Sequence, residues 1–222
     1  MPVTSGQHIE TDHRQPRLAV LLSGSGRTLE NLIAAIDRGA LDAQLVAVVS
    51  SKAGVRGVEI GERAGLPTTV IPRKGFPDDE AFTGAILDWL APYEPDLIIH
   101  AGFLRKLVIP EAWAGRMLNI HPSLIPESGA AGKGFYGNRV HEAVLLSGAL
   151  ESGATVHVLD NEYDEGPIVM KTRVPVLAND TVESLAARVF EAECALYPAA
   201  ISAYIRDNPW LLDSARKAHA RS

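Results

Sequence analysis

The chain has one cysteine, Cys194, in 222 residues. That excludes an internal disulfide framework and a structural zinc site built on cysteine. It fits a reducing, cytoplasmic setting. No apolar run approaches the roughly 18 residues that a membrane-spanning helix needs. The opening MPVTSGQHIETDHRQP has no apolar stretch and does not read as a secretory signal. Positive charge is not in excess: 21 Lys and Arg against 27 Asp and Glu leave a net charge of −6. A general attraction for polyphosphate is therefore missing, and nucleic acid is a poor expected partner. What is present is ordinary for a globular protein, with 46% hydrophobic and 22% charged residues in a chain long enough for a real core. The expected organisation is a polar tail over 1–16, a single domain over 17–205 and a C-terminal tail over 206–222.

The hydrophobic pattern alternates between short apolar runs and amphipathic segments. Residues 17–23, 44–50, 68–71 and 96–100 read as buried strands. Between them, Leu29, Leu32, Ile33 and Ile36 share a helical face, 58–64 is a short helix, and Asp78 or Asp79 caps a helix through Leu90. Nearly continuous apolar strands alternating with helices imply an α/β fold with a mostly parallel, twisted sheet and helices on both faces. Later, 154–159 and 168–176 alternate and read as strands added to the same sheet in antiparallel pairing. Asp180 and Thr181 cap a long final helix through about Tyr204. In such sheets ligands sit beyond the carboxyl ends of the strands.

Three loops fall there. SGSGRT follows the first strand. Its glycines permit a tight turn into a helix N-terminus, where backbone N–H groups and the helix dipole suit a phosphate. Arg27 adds a charge, and Thr28 a hydroxyl that also reads as the N-cap. A turn that uses glycine for geometry alone explains the same letters. MLNIHPSLIP places Asn119 and His121 two apart on an extended segment, so their side chains point the same way. DNEYDEGP supplies Asp164. A carboxylate beside His121 raises the imidazole pKa and keeps it cationic, and Asn119 with a cationic His121 suits an oxyanion. His100, His141 and His157 read as packed core histidines, and His8, His13 and His219 lie in the tails. No GxSxG is present and Cys194 sits within a helix, so covalent catalysis is not expected. The acidic run lacks EF-hand spacing and a histidine pair, so no metal is expected.

In chain order, SGSGRTLENL, HAGFLRKL, MLNIHPSLIP, GATVHVLDNEYDEGPI and EAECALYP resemble the phosphoribosylglycinamide formyltransferase family of purine synthesis, over about residues 17–205. The resemblance implies a Rossmann-like formyltransferase fold. It also implies formyl transfer from 10-formyltetrahydrofolate, as co-substrate and without metal, to the amine of glycinamide ribonucleotide. Asn119, His121 and Asp164 match the catalytic trio. Gly26, Arg27 and Thr28 match the phosphate site, and Glu193 the acid that contacts the glycinamide substrate. Leu104, Arg105, Lys106 and Leu107, together with Asn119, Asp160, Asn161, Glu162, Tyr163 and Asp164, match the folate pocket. A monomer or homodimer without nucleic acid or membrane is implied.

Related families include methionyl-tRNA formyltransferase, with an added C-terminal barrel, and formyltetrahydrofolate deformylase, with an added N-terminal domain. The short tails here favour neither, and hydrolysis of 10-formyltetrahydrofolate stands as the alternative activity. Three features depart from better-known members. Gly26-Arg27-Thr28 replaces Gly-Ser-Asn, Asp79 or a neighbour stands where some members have a folate-contacting arginine, and the 127–137 loop, with Lys133, Phe135 and Tyr136, is longer.

Overall fold

A computed structural model describes residues 14–132 and 134–213. Five apolar segments form parallel neighbours in one seven-stranded sheet: β1 (Arg17–Leu22), β2 (Gln44–Ser50), β3 (Thr68–Val70), β4 (Leu97–His100) and β5 (Met117–His121). β6 (Glu151–Val158) and β7 (Ile168–Pro175) extend it, and the order is β3-β2-β1-β4-β5-β6-β7. β5–β6 and β6–β7 pair antiparallel, as the alternation implied. The order reverses between β1 and β4, and the crevice of an α/β sheet opens at such a reversal.

β1, β2, β4 and β5 are largely apolar because both of their faces are covered. Leu18, Val20 and Leu22 of β1 point into one core, and Ala19 and Leu21 into the other. α1 (Arg27–Asp37), α2 (Arg56–Arg63), α4 (Asn138–Leu146) and α5 (Val182–Asp207) contribute Leu32, Ile60, Val144 and Val189 to the first. α3 (Asp79–Leu90) fills the second with Phe82, Ile86 and Leu90. Each such fully buried side chain contributes about 1.5–3 kcal/mol. α3 starts at Asp78, whose carboxylate accepts from Ala81 N–H, and Asp79 pairs with Arg73 at 2.6 Å.

α5 has Thr181 and Ser184 as a reciprocal capping box and runs through an internal proline, Pro198. Proline brings no N–H, so the carbonyl four residues earlier, on Cys194, loses its helical partner. Asn31 of α1 supplies the missing donor, with its Nδ2 2.9 Å from Cys194 O. The repair ties α5 to α1 and so fixes Glu193 opposite the turn that opens α1. Tyr197, fully buried one residue before the proline, has its hydroxyl 3.0 Å from His100 O and 2.9 Å from Leu118 O. It ties the end of β4 to the start of β5.

Within the segments expected as tails, the described residues Arg14 and 208–212 engage the body. Arg14 makes a bidentate 2.7 Å pair with the buried Asp96 and donates to Leu212 O. Leu211 is fully buried, and Trp210 lies under the Arg116 guanidinium, 5.0 Å from its ring centre. The apolar Trp210-Leu211-Leu212 patch therefore packs on the body. His8, His13 and His219 lie outside the described residues.

Candidate active site

Segments at the ends of four strands and the face of α5 enclose one cavity of about 440 Å³. The turn after β1 supplies Gly26, Arg27 and Thr28. The segment after β4 supplies Leu104, Arg105, Lys106 and Leu107. The end of β5 supplies Asn119 and His121, the loop after β6 supplies Asp160, Asn161, Glu162, Tyr163 and Asp164, and α5 supplies Glu193. Every residue given a catalytic, phosphate, glycinamide or folate role from the sequence lines this one space.

In the turn after β1, Gly26 is the N-cap residue of α1, with φ 72°. Thr28 lies inside the first turn and is not the cap. A Cβ on Gly26 would stand 2.5 Å from Gly57 Cα, so glycine is needed both for backbone angle and for close approach to α2. Among the described residues no side chain caps α1, and its N-terminus faces the cavity. Arg27 does not extend away from the protein. Its guanidinium stacks 4.0 Å from the centre of the Phe190 ring. Phe190 and Glu193 are three apart and share a face of α5. Burial pushes the Glu193 carboxyl up to about 7, against the opposing pull of Arg27.

At the mouth of β5 the pleat puts Asn119 and His121 on one face. The antiparallel register sets His157 of β6 directly opposite Asn119. The carboxamide Nδ2 of Asn119 lies 3.1 Å from His157 Nε2. His121 Nδ1 is 3.5 Å from Asp164 Oδ2, and His157 Nε2 is 3.5 Å from Asp164 Oδ1. Asp164 reaches this position from a left-handed backbone, φ 57°, a conformation that aspartate tolerates better than most residues. Sequence reasoning treated His157 as packing. The signal for it was the pair Thr155 and His157, polar positions alternating with the core residues Ala154, Val156 and Val158.

The 127–137 loop enters the same network through its backbone. Ala130 O accepts from His121 Nε2 at 2.8 Å, and Gly132 N–H donates to Asp164 Oδ2 at 2.8 Å. Phe135 packs against the main core, and Arg139 stacks 5.0 Å over Tyr136. Lys133 lies outside the described residues.

The electrostatics correct one expectation. Burial pulls the His121 pKa down and outweighs the upward pull of Asp164 and of the Ala130 carbonyl. The imidazole is therefore neutral near pH 7, not held cationic. Its proton sits on Nε2, where Ala130 O accepts it, and the lone pair is on Nδ1, toward Asp164. For Asp164, burial pulls upward, yet the carboxyl is held below its usual value, with Gly132 N–H donating to it.

Two other histidines line the cavity. Burial pushes His100 down to about 3, helped by His157, and also lowers His141. Among the described residues, His100 Nε2 and His141 Nδ1 have no hydrogen-bond partner.

On the side of the β4 loop, Asn161 does more than line the space. Its Oδ1 accepts from Ile109 N–H at 2.8 Å and its Nδ2 donates to Ile109 O at 3.3 Å, which staples the two loops together. Lys106 lies 5.3 Å over the Tyr163 ring. Among the described residues no group of three or more His, Cys, Asp or Glu side chains is placed to hold a metal ion. None of the described helices is long and apolar enough to cross a membrane.

The sequence profile described as formyl transferase matches residues 16–201. A trifunctional purine biosynthetic protein adenosine-3 of Bos taurus is 40% identical over 200 residues, which are 89% of this chain and 19% of that protein. A chloroplastic phosphoribosylglycinamide formyltransferase of Arabidopsis thaliana is 38% identical over 193 residues, 86% of this chain and 65% of that protein. The chain thus spans about a fifth of the first relative and just under two thirds of the second. The crystal structure of glycinamide ribonucleotide transformylase 1 from Symbiobacterium toebii superposes with a TM-score of 0.79 at 33% identity, covering 90% of this chain and 92% of that one. With the matched segment running from the start of β1 almost to the end of α5, the chain belongs to the formyl transferase family.

Proposed function

We propose that the protein transfers the formyl group of 10-formyltetrahydrofolate to the amine of glycinamide ribonucleotide, a step of purine biosynthesis. The observation that carries this is the meeting, in one cavity, of an uncapped helix N-terminus bearing Arg27 with the Asn119–His121–Asp164 cluster. A phosphate at one end and a reacting carbonyl at the other suit a phosphorylated amine and a formyl donor. The similar proteins named for this activity support the same reading.

In this reading the substrate phosphate sits on the Gly26, Arg27 and Thr28 turn, and Glu193 faces the glycinamide. The folate lies along Leu104, Arg105, Lys106 and Leu107 and the 160–164 loop, with Asn119 and Asp164 at its reactive end. The amine attacks the formyl carbon, a C–N bond forms, and the carbonyl π pair moves onto oxygen. Asn119 donates its N–H to that oxygen. Neutral His121 accepts the proton that the attacking nitrogen must lose, on the nitrogen left free by Ala130. Asp164 stabilises the resulting imidazolium. The proton then passes to the leaving nitrogen of the folate as its bond to carbon breaks. Holding both substrates in one cavity supplies much of the rest. The same reading takes residues 17–205 as one formyltransferase domain acting on small molecules, and sets it in a reducing, cytoplasmic compartment, which the lone cysteine supports.

The test is a direct assay with both substrates, following tetrahydrofolate and formate separately. Tetrahydrofolate formed only when the amine is present supports transfer. Equal formate release without the amine means hydrolysis and overturns it.

A further inference from the structure

We infer that His157 is a positioning residue that fixes which end of the Asn119 carboxamide acts as donor. The inference rests on the formyl-transfer reading for its kinetic consequence, but its structural content is independent of any substrate.

His157 is 1% exposed and sits opposite Asn119 in the β5–β6 ladder. Residues directly opposite in an antiparallel pair have Cβ atoms about 4.5–5.5 Å apart, close enough for side-chain hydrogen bonds. The His157 ring has three polar neighbours. Nδ1 lies 3.2 Å from the carbonyl of Val158, which can only accept. Nε2 lies 3.1 Å from Asn119 Nδ2 and 3.5 Å from Asp164 Oδ1.

A neutral imidazole carries one proton, and the two placements are unequal. With the proton on Nδ1, Val158 O receives it, and the lone pair on Nε2 accepts an N–H from Asn119. With the proton on Nε2, Nδ1 opposes a carbonyl lone pair and Nε2 opposes the Asn119 N–H. The only gain is a contact to Asp164 that exceeds the usual N–H···O range of about 2.7–3.2 Å. The first arrangement satisfies two contacts and the second at best one, so the proton belongs on Nδ1.

The consequence lies in Asn119. A carboxamide presents a donor and an acceptor of nearly the same shape, and only its hydrogen bonds decide which goes where. An acceptor at His157 Nε2 holds the NH2 group on the β6 side, with one N–H spent on the ring and the second left to serve the developing oxyanion. If the amide turned over, a carbonyl oxygen would stand where the amide nitrogen does now. The chain of control runs from the Val158 carbonyl to the imidazole proton, then to the amide orientation, and last to the oxyanion.

Two measurements test this. The first uses the unmodified protein with ¹⁵N-labelled histidine, the His157 signals being assigned by their loss in His157→Gln. The expected pattern is a protonated Nδ1 and an unprotonated Nε2. A proton on Nε2 overturns the inference whatever the enzyme does. The second is kinetic. His157→Leu is expected to slow turnover about as much as Asn119→Ala, roughly 100-fold, with both KM values within about threefold of the parent. His157→Gln, whose side-chain oxygen can accept from the same N–H, should recover to within about tenfold of the parent, whereas a purely space-filling role would not favour glutamine over leucine. In the double variant, Asn119→Ala should cost little beyond His157→Leu alone, because the two act as one unit. Full additivity, or a glutamine variant as slow as the leucine variant while still folded, rejects the role. Absence of formyl transfer by the parent itself would reject the proposed reaction instead and leave the tautomer to decide the local claim.

Discussion

The turn after β1 and the mouth of β5 lie at carboxyl ends of parallel strands in one sheet, and both face one cavity. They are built from different materials. The β1 turn works through its backbone: an uncapped helix start, a left-handed Gly26, and a Gly57 close enough to forbid any Cβ. The β5 mouth works through buried side chains: Asn119, His121 and His157 around Asp164. A backbone site offers fixed dipoles at neutral cost and suits an anion that is charged before and after reaction. A side-chain site of buried titratable groups can change charge during reaction, and that is what a proton-transfer step needs. The Arg27 side chain of the first region and the backbone contacts of the second are each the exception within their own material.

The comparison breaks most readily at Asp164. Asp164→Asn should lower turnover by about two to three powers of ten, because the imidazolium formed on His121 loses its counter-charge. The pH profile carries a sign. Burial already depresses the His121 pKa, and the carboxylate opposes that depression. Without it the pKa falls further, so the acidic limb of turnover should move to lower pH. A full-rate variant, or a limb displaced to higher pH, rejects the role given to this residue. Arg27 offers no parallel, because no proton is asked of it.

Gly26→Ala probes the other material. The methyl must be accepted at φ 72° and 2.5 Å from a backbone atom that belongs to α2. We expect a loss of about 2–4 kcal/mol in unfolding free energy, read by urea titration, from left-handed strain and steric displacement together. Binding of the phosphorylated substrate should weaken more than binding of its dephosphorylated analogue. Equal losses for the two ligands would mean that the turn serves packing and not phosphate. Gly24 has open space around it, so Gly24→Ala is the natural control.

How far the sequence revealed this molecule differs between the same two regions. The sheet, its helices and its antiparallel extension were legible because apolar runs and amphipathic periods are local. SGSGRT was legible because glycine marks a backbone requirement directly. At the β5 mouth, Asn119, His121 and Asp164 were legible as unusual residue types in strand-end loops. The contributions of Ala130 O and Gly132 N–H were not, since a backbone group carries no letter of its own. His157 was hidden because its role depends on strand register, which pairs it with Asn119. The charge state of His121 was misjudged for a related reason. The sequence names the carboxylate that raises its pKa but not the burial that lowers it further. The packing of Trp210 and Leu211 on the body likewise depends on Gly115 and Arg116, which lie far from them in the chain.

Glu193 joins the two regions and gives the smallest effect. It projects from α5 toward Arg27, so a titrating carboxyl stands against the end of the cavity that otherwise does not titrate. Burial puts its pKa near 7 in the folded protein, against about 4.5 when the chain is unfolded. Between those values the folded state holds a proton that the unfolded state has released. Stability from this group is therefore present below the lower value, falls as pH rises through the window, and is flat above about 7. The buried histidines act in the opposite direction: His100, His121 and His141 have depressed pKa values, so their contribution rises with pH. Only the difference between parent and Glu193→Gln isolates the carboxyl. Urea unfolding from pH 5 to pH 8 should show the variant gaining about 1 kcal/mol on the parent across that range, a figure reduced from the full shift for the partial exposure of the group in an open cavity. Parallel stability curves for the two proteins would show that Glu193 ionises normally, and that the acidic side chain on α5 is as fixed in charge as the arginine it faces.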